Sequence, residues 1–126
     1  MAIINGYVDG STLAPIIRVK LISGKNEEIE LPAIIDTGYN GEVILSESKI
    51  QEMGLEFLGT IDTELADGGI VELDLFRGRI KWFDRIQEIA IGTTQSQDAS
   101  VGTLLLADCK LDVNFKERWV SVEQLV

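Results

Sequence analysis

The stretch Ala33-Ile34-Ile35-Asp36-Thr37-Gly38 decides the reading of this chain. It sets a carboxylate directly behind an apolar run that enters a buried place, then a hydroxyl, then a glycine. One meaning is a bare turn, in which Asp accepts backbone N–H bonds and glycine takes a positive φ. The other is chemical, with the carboxylate as an acid or base. An Asp-Ser/Thr-Gly triplet arises by chance in about one chain in twenty of this length, from average residue usage. The surroundings must therefore choose between the two.

Working outward, Ile16–Ile22 alternates from Ile17 onward, with Ile17, Val19 and Leu21 on one face. Gly24-Lys25-Asn26 reads as a turn, and Glu28-Ile29-Glu30-Leu31 as the start of a partner strand. Val71, Leu73 and Leu75 alternate with Glu72, Asp74 and Phe76. Ile80 and Trp82 resume the alternation past Gly78 on shifted parity, and Ile89 and Ile91 mark another strand, closed by Gly92. Thr93–Ser100 is polar and reads as a loop. Leu111–Phe115 and Trp119–Val122 read as two strands around Lys116-Glu117-Arg118.

Two short helices are expected. Ser46 can cap Glu47–Met53, with Ile50 and Met53 facing inward and Gly54 as the stop. Thr103–Cys109 is the second, although its run Leu104-Leu105-Leu106 fits a strand equally well and periodicity does not arbitrate. Many short strands, hairpin turns and little helix predict an all-β domain, a closed barrel or a sandwich. Trp82 and Phe83 are expected inside it. For Phe115, Trp119 and Val122 the choice is core or interface, with core the expected place.

The 126 residues predict a single domain over 1–126. A chain of this length buries roughly two-thirds of the surface it exposes when unfolded. Apolar residues make up 45% and are spread along the chain, which excludes disorder. The longest apolar stretches, around Leu31–Ile35 and Leu104–Ala107, are far short of the ~20 residues of a spanning helix. Met1–Gly6 has no basic region before an apolar one, so no signal peptide is expected.

Absences narrow the chemistry further. The chain has no histidine, which removes Ser-His-Asp and Cys-His catalysis and histidine metal sites. The one cysteine, Cys109, permits no intrachain disulfide and no thiolate cluster, and it is expected to be a small buried apolar residue. A cytoplasmic location fits. With 21 acidic against 11 basic residues the net charge is −10, which repels nucleic acid. Glu27, Glu28 and Glu30, then Asp62 and Glu64, then Glu72 and Asp74, read as solvated strand faces rather than metal sites. No calcium loop or phosphate loop is present, so neither metal nor cofactor is expected.

The longer stretch Ile34–Ser46, followed by a short helix ending at Met53-Gly54-Leu55, resembles the catalytic loop, strand and helix of retropepsin-like aspartic proteases. Glu64-Leu65-Ala66-Asp67-Gly68-Gly69-Ile70-Val71 resembles the flap hairpin of that family. Ser100-Val101-Gly102-Thr103-Leu104-Leu105-Leu106 resembles its hydrophobic-Gly signature, which threads past the catalytic loop. Leu111–Phe115 resembles the strand that follows. The likeness runs from about Ile16 to Phe115, in order, and is far more specific than the triplet. Viral members carry Arg where this chain has Thr103, and their tails are shorter, so the chain is most similar to stand-alone prokaryotic members.

The resemblance implies an acid-protease-type closed barrel with one or two short helices, acting as an aspartic endopeptidase on a peptide or protein. Hydrolysis then needs two carboxylates sharing one proton, because like charges about 3 Å apart cannot both ionise cheaply. One activates water and the other donates to the scissile carbonyl. This chain has one such triplet, so the resemblance implies a homodimer that pairs Asp36 with its own copy. Thr37 would tie the two loops together across the axis, and Gly38 would let the loop turn without a Cβ clash. Asp67, Gly68 and Gly69 would form the tip of a flap that closes over substrate. Two chains of charge −10 repel at neutral pH, so a tighter dimer is expected at mildly acidic pH. Equal dimer affinity in sedimentation at about pH 5 and about pH 8 would contradict this. The alternative is a catalytically silent dimeric peptide-binding or assembly module on the same fold.

Overall fold

Period-two alternation puts Ile17, Val19 and Leu21 on one face of β2 (Pro15–Ile22), and all three are buried. A turn held by Ser23 returns the chain as β3 (Glu28–Ile35), with the Ser23 hydroxyl accepting from Lys25 N–H at 3.2 Å and Glu27 N–H at 3.1 Å. β3 ends on buried Ala33 and Ile35, immediately before Asp36. The computed structural model describes residues 2–64 and 67–126, and all statements of structure refer to these.

Past the Asp36 loop come β4 (Val43–Ser46) and α1 (Glu47–Met53). The Ser46 hydroxyl accepts from Lys49 N–H at 3.3 Å, and Gly54 closes the helix in the left-handed conformation. Ile50 and Met53 face the core, as expected. β5 (Glu56–Glu64) and β6 (Ile70–Trp82) form a hairpin, with a bulge between Phe57 and Gly59. β7 (Arg85–Thr94) pairs with the far half of β6 in unbroken register, from Leu75 opposite Gly92 to Trp82 opposite Arg85. β8 (Ala99–Val101), β9 (Cys109–Asn114) and β10 (Trp119–Gln124) complete the chain, and β10 pairs with β1 (Ile3–Val8).

The barrel closes because β6 also pairs with β2, from Lys20 opposite Lys81 to Ile22 opposite Arg79. β2, β3, β8, β4, β7 and β6 thus form a closed ring of six strands. Inside it lie Ile17, Leu21, Leu45, Ile80, Ile91 and Val101, all fully buried. The fold is all-β with a single short helix among the described residues. No helix is long and apolar enough to cross a membrane among these residues.

Several local expectations change. Thr103–Cys109 is not a helix. Leu106 N–H bonds Thr103 C=O and Cys109 N–H bonds Leu106 C=O, two successive turns whose bonds do not overlap. The chain must already be extended at Cys109, where its ladder with Gln124 begins. β7 runs past Gly92 to Thr94, pairing Thr93 with Leu45, and Ala99–Val101 is a strand, so the polar loop shrinks to residues 95–98. Phe115 and Trp119 are 54% and 44% exposed, whereas Val122 is buried. Alternation along β10 turns Val120 and Val122 inward and sends Trp119 outward, opposite Tyr7. Trp82 is buried and Phe83 packs against the core beside it, their rings 5.0 Å apart. Cys109 is half-buried, and desolvation, reinforced by the Asp108 charge and opposed by a bond to Trp82, pushes its thiol up.

Candidate active site

Asp36 stands where β3 leaves the barrel wall. β8 lies between β3, its parallel neighbour, and β4, its antiparallel one. The loop from Asp36 to Glu42 therefore begins on one side of β8 and ends on the other. Its two ends are bonded to the end of β8. Asp36 N–H donates to Val101 C=O at 2.9 Å, and Gly102 N–H donates to Glu42 C=O at 2.9 Å. Beyond Gly102 the bonds continue, with Thr103 N–H on Tyr39 C=O at 2.8 Å and Leu104 N–H on Gly41 C=O at 3.1 Å. The Thr103 hydroxyl reaches Tyr39 C=O as well, at 3.3 Å. Thr103 thus fastens the loop through both its backbone N–H and its hydroxyl.

Gly102 is required at this crossing. A Cβ there would overlap the Gly41 carbonyl oxygen and stand 2.6 Å from both the ring and the carbonyl of Tyr39. The Asp36 carboxylate is exposed, and its Oδ1 accepts Gly38 N–H at 2.9 Å. Gly38 is not among the positive-φ residues, so the turn does not use its left-handed freedom. A Cβ at Gly38 would stand 3.2 Å from Asp36 Oδ1, close enough to crowd the carboxylate. Thr37 is exposed beside them.

Two cavities flank this loop. One, of about 400 Å³, is bordered by Asp36, Gly38, Val71, Leu73, Thr94 and Ser100. The other, of about 370 Å³, lies against Gly38, Tyr39, Glu42, Ile61, Leu75 and Leu104. Thr63 and Glu64, the last residues of β5 before the hairpin turn, border both, so the tip end of the β5–β6 hairpin lines the space beside Asp36. At the hairpin tip, Gly69 N–H bonds Asp67 Oδ1 at 2.8 Å, and Gly68 sits at φ 87°. Leu65 and Ala66, within the flap-like stretch, lie outside the described residues. Glu27, Glu28, Glu30, Asp62, Glu64, Glu72 and Asp74 are all exposed on strands and turns. No group of three His, Cys, Asp or Glu among the described residues is arranged to hold a metal ion.

Sequence reasoning missed two residues that shape the loop. Tyr39 is buried beneath it, where a Cβ on Gly41 or Gly102 would overlap its ring and one on Gly92 would stand 3.3 Å from its hydroxyl. Burial pushes the Tyr39 hydroxyl up, and the Glu42 charge adds to the effect. Glu42 Oε1 accepts Ala90 N–H at 2.9 Å, which ties the loop to β7. No spacing in the sequence joins Gly41, Gly92 and Gly102, which meet only through the fold.

A closed six-strand barrel with an Asp-Thr-Gly loop crossed by a Gly-bearing strand end defines the acid-protease class of fold. Solved structures agree. A retropepsin-like aspartic protease from Rickettsia conorii matches with a TM-score of 0.65 over 97% of this chain and 90% of that one, at 14% identity. The chain has the retropepsin-like fold. No protein-family model matches it. No curated protein matches it.

Proposed function

We propose that the protein is a homodimeric aspartic endopeptidase, with water activated between two Asp36 carboxylates, one from each protomer. The observation that carries this reading is the placement of Asp36. It is an exposed carboxylate on a loop hydrogen-bonded at both ends, between two cavities roofed by a hairpin. A single chain supplies one such carboxylate, and a two-fold axis beside the loop supplies the second. The ionised member takes a proton from water as the oxygen attacks the scissile carbonyl carbon. The protonated member donates to the carbonyl oxygen. The tetrahedral species then collapses with a proton passed to the leaving amine. Thr37 holds the two loops to each other, Gly38 leaves room for the carboxylate, and Asp67, Gly68 and Gly69 close over the peptide and exclude water.

The test is cleavage of a diverse peptide library by wild type and by Asp36→Asn, with dimerisation measured by sedimentation. Replacing a general acid/base costs on the order of 10²–10⁴-fold in rate. The expected result is cleavage by the wild type that falls at least that far in a variant that still dimerises. A wild-type dimer that binds peptides and cleaves none would favour a silent peptide-binding module. A monomer at every pH would exclude the shared pair.

A further inference from the structure

The space beside Asp36 carries charge of one sign over an apolar floor. Ile61, Leu75 and Leu104 supply the floor of the cavity next to Tyr39, and Glu42, Asp62 and Glu64 stand around it. The adjoining cavity shares Glu64 and adds Asp36 and Asp98. Among the described residues no lysine or arginine borders either cavity. The ion pairs of the described residues engage Glu30, Glu52, Glu56, Glu88 and Asp112, none of which borders this space. Glu42 is held in place by the Ala90 N–H, so its charge is a fixed feature of the wall. Leu104 is 58% exposed, which leaves an apolar surface open at this cavity.

We propose that this cavity selects peptides by a lysine or arginine side chain, lodged between the apolar floor and the Glu42, Asp62 and Glu64 carboxylates. The inference rests on the cleft being the peptide site of the function proposed above. The three kinds of side chain a peptide can offer fare differently. An aliphatic one covers the floor but strips water from carboxylates without giving them a partner. An acidic one adds a like charge. A lysine or arginine lays its methylenes on the floor and brings its cation to the rim. Exposed charge pairs are individually weak, so the combined preference over an aliphatic residue is about tenfold. It should weaken as salt is raised.

The experiment reads binding rather than turnover. The Asp36→Asn protein is used to select from a randomised decapeptide library, and the retained peptides are sequenced. The expected result is enrichment of lysine and arginine over leucine by about tenfold at one position. With Asp62→Asn and Glu64→Gln added, which leaves Glu42 as the one carboxylate of the three, that enrichment should be largely lost. It should persist when Glu28→Gln, an exposed carboxylate on β3 away from the cleft, is added instead. No basic enrichment, enrichment that survives the double cleft variant, or equal loss in the Glu28→Gln control would overturn the proposal. Incubating wild type with the retained peptides separates the two readings. Basic peptides that bind and stay intact contradict the endopeptidase and leave the selectivity standing. Cleavage without regard to basic residues contradicts the selectivity and leaves the endopeptidase standing.

Discussion

Asp36 sits on a loop bonded at both ends to the crossing segment Val101–Leu104, with Tyr39 buried beneath it. Asp67 sits at a hairpin tip whose described bond is to its own neighbour Gly69. At the base, backbone groups from two parts of the chain bond to each other, the Glu42 side chain adds a bond to β7, and Gly102 leaves no room for a Cβ. At the roof, Ile70 is 71% exposed, and a Cβ on Gly68 would meet nothing within 4 Å. The contrast suits the proposed hydrolysis under a lid. In that proposal the carboxylate is held to a fraction of an ångström, while the lid opens and closes for each substrate. Local stability follows contact and bonding, so the two regions should respond differently to similar small changes.

The largest structural effect is expected at the base. Gly102→Ala puts a methyl against the Gly41 carbonyl, and overpacking of this kind costs ~1–3 kcal/mol. The melting temperature should fall by about 5–15 °C, the scale for a domain of this size. A variant that melts like wild type would show that the crossing is not tight. At the roof, Gly68→Ala forces an L side chain to φ 87°, a local strain of ~1–2 kcal/mol that the exposed tip can relieve by shifting. Its melting temperature should move by less than about 2 °C, while kcat/KM falls several-fold through altered closure. A large loss of stability with normal turnover would reverse the contrast.

The smallest effect is expected far from both regions, in the turn between β1 and β2. Asp9 Oδ2 accepts from Thr12 N–H at 2.9 Å and from the Thr12 and Ser11 hydroxyls, which lowers its pKa to about 2. The folded value lies below the unfolded one, so its contribution is present above about pH 4 and is lost as pH falls toward 2. The melting gap between wild type and Asp9→Ala should therefore be small at neutral pH and close on acidification through that window. A gap that widens toward low pH would contradict the assignment. Peptidase activity should be the same in both proteins at neutral pH.

Much of the barrel was legible because its strands bury one face. Ile17, Val19 and Leu21 announce the buried face of β2, and Ser46 and Gly54 bracket α1 with caps that act locally. β1 was hidden by its Asn5-Gly6 pair, a turn signal that here lies inside a strand, with Gly6 against the backbone of Ile16. The second helix failed because three leucines in a row fit either period. In the fold, Leu105 and Leu106 go inward and Leu104 goes to the cleft. For the loop, the Asp36-Thr37-Gly38 string and the later Gly102 could be read as two parts of one device only through the family likeness. The role of Tyr39 was not legible, because the three glycines around it come from separate strands and loops.

The central claim is that one site is made from two chains. Wild type and Asp36→Asn should be mixed in equal amounts, allowed to exchange subunits, and assayed on a cleaved peptide at constant total protein. If each site needs two Asp36 carboxylates, mixed dimers are silent and about one quarter of the wild-type activity remains. Retention of about one half would mean that each chain works alone, and would contradict the shared pair.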